Sequence, residues 1–230
     1  MISVSFFLHP NRQDNLKTIH NAYKDYDIID EVLVVTGKEV DTEWCDPKFK
    51  FVHMPGPYTY GEWPSFGLLS RYTFALCCKN RFVFMQDDDC YFNEETFKKL
   101  AKLQQPLAGT KPTPRWFRNN EYISKSPTKN KNSAEILITR GILIDISYLP
   151  DVIKYAKMFW KGKYQNCFNG EDIFLSMAMQ YLTEYNEFSI VTDEFFELPK
   201  YDVQLDQKIN KKGSRTKITR DIYNFFAEIL

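Results

Sequence analysis

Short apolar runs alternate with helical spacings along the first hundred residues, and no other feature constrains the fold as tightly. Ile2–Leu8 is an apolar run that ends in the turn His9-Pro10-Asn11-Arg12. Leu16, Ile19, Ala22 and Tyr23 then recur at helical spacing to about Tyr26. Glu31–Thr36 contains Val32-Leu33-Val34-Val35, an uninterrupted run of the kind found in strands buried on both faces, and Gly37 ends it. Phe49–His53 reads as a third strand closed by Pro55-Gly56-Pro57. Strand, helix and strand in succession predict an α/β domain with a mostly parallel sheet and right-handed crossovers.

The pattern continues with a helix over Gly67–Cys78 and a strand over Arg81–Gln86 that runs directly into Asp87-Asp88-Asp89. Asn93 reads as the N-cap of a helix reaching Gln104, with Glu94 and Glu95 in its first turn. Pro106–Lys131, rich in Pro, Asn, Lys and Thr, reads as loops and irregular strands. Glu135–Ile146 predicts a strand that bends at Gly141, and Pro150–Trp160 and Ile173–Tyr185 read as helices. The segment Asp206–Arg220 is basic and polar, and the last ten residues resume a helical pattern. No repeat and no boundary interrupts the 230 residues, so a single domain is expected, with residues 1–105 and 106–230 as its two halves.

Composition narrows the class. Thirty basic residues balance thirty acidic ones, which excludes a general nucleic-acid binder, and a 43% hydrophobic content excludes a disordered chain. No segment reaches the roughly 20 apolar residues of a bilayer span, and Met1 leads straight into a strand rather than a basic and then apolar leader. Five cysteines (Cys45, Cys77, Cys78, Cys90, Cys167) show no zinc-type spacing, and Cys77-Cys78 read as ordinary buried or half-buried thiols. The expectation is a reduced, cytoplasmic protein.

The aspartate triplet carries the clearest chemistry. Ligands of open α/β sheets collect at the carboxyl ends of strands, where this cluster falls. Three adjacent carboxylates repel one another unless a cation neutralises them, and their hard oxygens select Mg²⁺ or Mn²⁺, ions that bridge carboxylates to diphosphate oxygens. The plain alternative is a solvated acidic turn. Gly170-Glu171-Asp172 opens a helix; such a pair often only stabilises the helix end, but beside a metal-diphosphate site one member becomes a candidate to orient or deprotonate an acceptor hydroxyl. Arg12 and Arg71 are candidate phosphate partners, and Arg71, on a helix just before the aspartate strand, either faces the nucleotide or simply pairs with one of the aspartates. The basic segment with Lys208, Lys211, Lys212, Arg215, Lys217 and Arg220 is either a solvated surface or a lid that folds over a diphosphate. His9, His20 and His53 lack ligand spacing and read as structural; Trp63, Trp116 and Trp160 read as core before sugar-stacking platforms.

With these residues in view, the chain resembles the exostosin-like glycosyltransferases, the family 64 catalytic domain of GT-A fold. The resemblance spans nearly the whole length in the same order: Pro10-Asn11-Arg12 with Leu16, Ser70-Arg71, Asp87-Asp88-Asp89, Ile136–Tyr148 and Asn169-Gly170-Glu171-Asp172-Ile173. It implies a metal-dependent transfer of a hexose-type sugar from a UDP-sugar donor to the hydroxyl of an oligosaccharide or glycoprotein acceptor, with Mn²⁺ (or Mg²⁺). By the same resemblance Asp89 ligates the metal, with Asp87 near it; Asp87 and Asp88 contact ribose and sugar; Arg12, Arg71 and Arg215 touch nucleotide and diphosphate; Asp172, with Glu171, lies at the reacting centre. Residues 1–105 become the nucleotide-binding half, and 106–230 the acceptor half with a basic C-terminal lid. Ser70, Thr36-Gly37 and Gly170 depart from the family's asparagines and cysteine, which leaves the sugar and the stereochemical outcome open. The compact, Lys-, Asn- and Tyr-rich chain also resembles glycosyltransferase domains of large algal viruses. Alternatives are an inverting GT-A enzyme using another nucleotide sugar, such as a deoxyhexose, a metal-dependent sugar nucleotidyltransferase, for which His9-Pro10-Asn11-Arg12 is a poor phosphate loop, and a non-catalytic sugar-nucleotide or glycan-binding domain.

Overall fold

Every residue of β1 (Ile2–Leu8) is buried, because the strand lies inside a sheet covered on both faces. The computed structural model describes residues 1–37, 39–54, 69–111, 114–123, 132–161, 170–192, 194–199 and 214–229. The turn Pro55-Gly56-Pro57, Trp63, Cys167, Asn169, the lysines at 208, 211 and 212, and the start of the helix expected from Gly67 lie outside them. β1 pairs in parallel with β2 (Ile29–Thr36), which pairs in parallel with β3 (Phe49–His53). On its other side β1 pairs in parallel with β4 (Phe82–Met85), the strand that ends at the aspartates. β11 (Ile142–Asp145) then runs antiparallel between β4 and β6 (Leu107–Thr110), and β12 (Phe188–Val191) and β9 (Ser133–Ala134) complete the sheet. Among the described residues its eight strands stand in the order β3-β2-β1-β4-β11-β6-β12-β9.

Successive strand residues feed opposite cores, as the two-residue period of a strand requires. Val32, Val34, Phe84 and Leu143 join Ile2, Val4, Phe6 and Leu8 under α1 (Gln13–Tyr23) and α3 (Glu94–Leu103). Leu33, Val83, Met85, Ile142 and Ile144 face the other side, beneath α2 (Ser70–Ala75), α4 (Leu149–Phe159), α5 (Glu171–Thr183) and α6 (Ser214–Glu228). Asn93 caps α3 by accepting from the Thr96 amide at 3.0 Å, as expected. Small sheets flank the main one: β5 (Cys90–Phe92) pairs with β13 (Phe195–Glu197), and the hairpin β7 (Pro114–Arg118) and β8 (Glu121–Ile123) pairs with β10 (Ile136–Leu137). None of the helices among the described residues is long and apolar enough to cross a membrane.

Four expectations change. Leu107–Thr110, within a stretch read as loops and irregular strands, is a regular inner strand of the main sheet. The bent strand over Glu135–Ile146 is two strands in different sheets, broken at Gly141. Cys77 is exposed, although Cys78 is buried. Trp116 and Trp160 lie in the core, as read. The helical pattern also begins at Ser214, earlier than the last ten residues, because Ile222 and Phe226 pack onto α5 while Thr219 turns its hydroxyl back to the Arg215 carbonyl.

Gly141 has a φ of +150°, and a Cβ there would lie 2.6 Å from both Phe92 Cζ and Thr110 Oγ1. Backbone strain and overpacking then act together. Gly141→Ala should destabilise the domain by about 2–4 kcal/mol, read as a lowered midpoint in urea with an unchanged slope. An unaltered midpoint would mean that the sheet accommodates the methyl group.

Candidate active site

The chain after β4 delivers three carboxylates with three different fates. Asp88 is 4% exposed and fully engaged: Oδ1 accepts from Arg12 Nη1 at 2.5 Å and Oδ2 from the His9 amide at 2.7 Å. Arg12 reaches it because Pro10 starts a single 3₁₀ turn (Pro10–Arg12) directly after β1, closed at its front by the His9 ring accepting from the Asn11 amide. Asn15 donates to the carbonyls of Asp88 and Pro199, each at 2.9 Å, and the Leu198 amide donates to the Asp89 carbonyl at 2.8 Å. The segment around β13 is thereby tied across the triplet.

Asp87 turns toward α2, 3.0 Å from Arg71 Nη2, and Arg71 Nη1 donates to Thr139 Oγ1 at 2.7 Å. Burial opposes the Arg71 charge, but Asp87 and Glu171 outweigh it and hold the guanidinium firmly cationic. Asp89 is flanked by two guanidinium groups, Arg12 at 3.5 Å and Arg140 at 3.6 Å. Its buried Oδ1 has no hydrogen-bond partner among the described residues. Burial raises the pKa of Asp88 and of Asp89, with Arg12 opposing at both and Arg140 also at Asp89.

Arg140 was not anticipated, although its sequence signal was a lone arginine between two apolar triplets. It donates to Glu197 at 2.9 Å and lies over the Phe195 ring, 4.9 Å from the centroid. Arg12, Arg71 and Arg140 therefore neutralise the triplet from three distant points of the chain. The charge argument for a metal is thus already answered by protein groups, and what bears on an ion is the orphaned oxygen of Asp89. Among the described residues no three His, Cys, Asp or Glu side chains converge to hold an ion. A hard divalent ion held by one or two carboxylates, with phosphate oxygens and water completing its shell, still fits the Asp89 oxygen that no hydrogen bond engages among the described residues.

Glu171 and Asp172 open α5, across Arg71 from the triplet. Tyr72 donates to the Glu171 carbonyl at 2.9 Å, and Asp172 Oδ1 accepts from the Ile173 amide at 2.8 Å. α6 closes over this helix start, since a Cβ on Gly170 would come within 2.9 Å of Ile218 Cγ1. The same helix brings Arg215 beside Asp172, where Arg215 also stacks 5.7 Å from the Tyr122 ring centroid. Arg220, the other tail arginine, instead donates to the Asn120 carbonyl at 3.2 Å. Residues 214–220, part of the expected lid, are thus the opening turns of a packed helix; 206–213 lie outside the described residues.

Burial and the neighbouring Asp172 push Glu171 up to about 8, and its Oε2 is buried without a hydrogen-bond partner among the described residues. Burial raises Asp172 too, while Arg215 works to keep it charged. Both carboxyls are pushed toward their protonated forms, and Arg215 opposes that shift at Asp172. The folded chain keeps a proton that an unfolded chain releases above the ordinary Glu value of 4.5, so stability falls as pH rises from 4.5 to about 8. Glu171→Gln should flatten that decline and raise the melting temperature at pH 8, by an amount on the order of a few kcal/mol of stability. Parallel stability profiles for wild type and variant would refute the shift.

No protein-family model and no curated protein sequence matches this chain. Solved structures match it in fold. S. aureus TarS 1–349 in complex with UDP-GlcNAc is similar over 97% of this chain and 66% of that one, with 17% identity and a TM-score of 0.61. A second structure of the same fragment gives 15% identity and a TM-score of 0.56 over 99% and 72% of the two chains. A longer S. aureus TarS gives 16% and 0.54 over 97% and 42%. The chain therefore spans just under two thirds of the first of these relatives and less than half of the longer TarS. The chain has the GT-A fold. In that fold the aspartates occupy the carboxyl end of an inner strand, with the start of α5 facing them across Arg71.

Proposed function

We propose that this chain is a glycosyltransferase that moves a hexose-type sugar from a UDP-sugar donor to a glycan hydroxyl, with Mn²⁺ or Mg²⁺ as cofactor. The observation that carries the reading is the meeting, within a GT-A sheet, of an arginine-held aspartate triplet with the carboxylate pair Glu171 and Asp172 at the start of a packed helix. Likeness to a TarS fragment seen with UDP-GlcNAc supports a sugar-nucleotide donor. The exostosin-like resemblance supports a UDP-hexose in particular. The 3₁₀ turn after β1 turns Arg12 inward onto Asp88 instead of forming a glycine-rich phosphate cradle, which disfavours a nucleotidyltransferase.

Asp89 would hold the ion, with Asp87 the second carboxylate at the same strand end. When bound, the ion would neutralise charge on the departing diphosphate. The chain's own groups do the rest. Asp88, fixed by Arg12 and the His9 amide, presents a rigid floor for the ribose and sugar. Arg71 and Arg215 flank the carboxylate pair from opposite sides and supply positive charge to the nucleotide end. Asp172 carries the charge that attracts a proton from the acceptor hydroxyl, or that steadies a cationic sugar centre; analysis of the product anomer separates these two outcomes. Packing by α6 keeps water from the helix start.

Calorimetry across a set of nucleotide sugars, with and without Mn²⁺, tests the assignment. A UDP-hexose should bind in Mn²⁺, and Asp89→Asn should abolish the metal-dependent part while the melting temperature stays near that of wild type. Equal donor affinity for the folded variant in Mn²⁺ would remove Asp89 from the metal site. Binding of no nucleotide sugar by the wild type would end the transferase reading.

A further inference from the structure

A second cleft, of about 510 Å³, lies between the β7–β8 hairpin and α5, with Tyr223 of α6 at its side, and neither the triplet, its arginines, nor Glu171 and Asp172 lines it. Its size is that of a small-ligand site. One wall is aromatic: the rings of Phe117 and Tyr223 stand 5.9 Å apart at 42°, and Tyr223 is 56% exposed. The opposite rim is made of amides. Asn119 and Asn120 form the hairpin turn at φ of +53° and +62°, and Gln180 is held in place by donating to the carbonyls of Glu135 and Asn186.

Among the described residues, the charged side chains that line this cleft are paired: Arg118 with Glu135, and Arg118 also with Glu187 beside it. Arg220 reaches its edge, where it donates to the Asn120 carbonyl. A phosphate or nucleotide meets no unpaired charge on those lining residues. An uncharged ring with one apolar C–H face and a border of hydroxyls fits better, because aromatic faces take the C–H surface and amides both donate to and accept from hydroxyls. That description is a pyranose. Gln180 lies eight residues along α5 from Asp172, a rise of about 12 Å, too far for one sugar ring to touch both. From this juxtaposition we propose that the cleft binds an uncharged oligosaccharide and serves as a remote subsite for the acceptor glycan.

The acceptor role rests on the transferase reading, whereas glycan binding to the cleft does not, so the two are measured apart. Saturation-transfer NMR without nucleotide tests hexasaccharides of glucose, N-acetylglucosamine and mannose; calorimetry tests UDP-sugar with Mn²⁺. Tyr223→Ala truncates an exposed ring, and Asn120→Gly keeps the positive φ of the turn. At least one hexasaccharide should bind the wild type, and each variant should weaken it about fivefold or more with UDP-sugar affinity unchanged. In turnover, KM for that hexasaccharide should rise by the same factor, while kcat and the KM for the matching monosaccharide glycoside stay put. Failure of all the hexasaccharides to bind, or equal binding by wild type and both variants, overturns the proposal. Preferential capture of an unglycosylated peptide overturns the ligand class. Hexasaccharide binding that survives in a protein with no affinity for any nucleotide sugar overturns the acceptor role alone.

Discussion

Asp172→Asn should turn over about 10²-fold more slowly than wild type, or worse, while binding the donor with nearly unchanged affinity. The substitution is close to isosteric. Its amide oxygen can keep the hydrogen bond that Asp172 Oδ1 accepts from the Ile173 amide. What disappears is the charge that Arg215 helps to maintain. A side chain fixed at the first turn of a packed helix can act on charge that develops only in the transition state, and that difference shows in turnover more than in binding. If Asp172 only stabilises the helix end, the variant should lose roughly 0.3–1 kcal/mol of stability and little activity. Melting temperature, donor affinity and turnover on one preparation separate the two. A lower melting temperature with near-normal turnover would move the catalytic assignment to Glu171.

The second large effect is on stability. Arg12→Met should cost about 3–5 kcal/mol at neutral pH, because it leaves Asp88 buried with a single backbone amide as partner. Asp88 then holds its proton more tightly than the unfolded chain does, so the variant's deficit should shrink as pH falls toward the ordinary carboxylate range. Adding Asp88→Asn should recover part of the loss. Denaturation midpoints for wild type, Arg12→Met and the double variant, at pH 5 and pH 7, measure this. A deficit that is independent of pH and unrelieved by Asp88→Asn would make Arg12 a packing residue rather than a counter-charge.

The strands that position the site were legible because they are buried on both faces: β1, β2 and β4 read as continuous apolar runs. β6 was not, since Leu-Ala-Gly-Thr between Pro106 and Lys111 carries a glycine and few bulky side chains, and only its place between β11 and β12 makes it a strand. α6 was legible only in its second half. Its first turns are polar, and the apolar positions Ile218, Ile222, Phe225 and Phe226 emerge as a stripe once Ser214 is taken as the start. The neutralisation of the triplet was only partly legible: Arg71 was read as a partner of either the nucleotide or an aspartate, but Arg12 and Arg140 are far from the triplet in sequence, and no local pattern announces that they converge on it. The local repulsion was read correctly, with an ion as its main cure.

That convergence also governs when the site comes into being. Arg12 and Asp88 are 76 residues apart, Arg71 and Thr139 are 68, and Tyr122 and Arg215 are 93. β4 needs β1 on one side and β11 on the other before its end is fixed. Contacts of such long sequence separation require closure of large loops, so folding to the finished arrangement belongs to the slow, non-local regime. A nascent chain that has exposed residues 87–89 but not yet 140 or 215 carries the acids without all of their counter-charges. The site is therefore a late product of folding, and on the transferase reading a partly folded chain should have no fraction of the final activity.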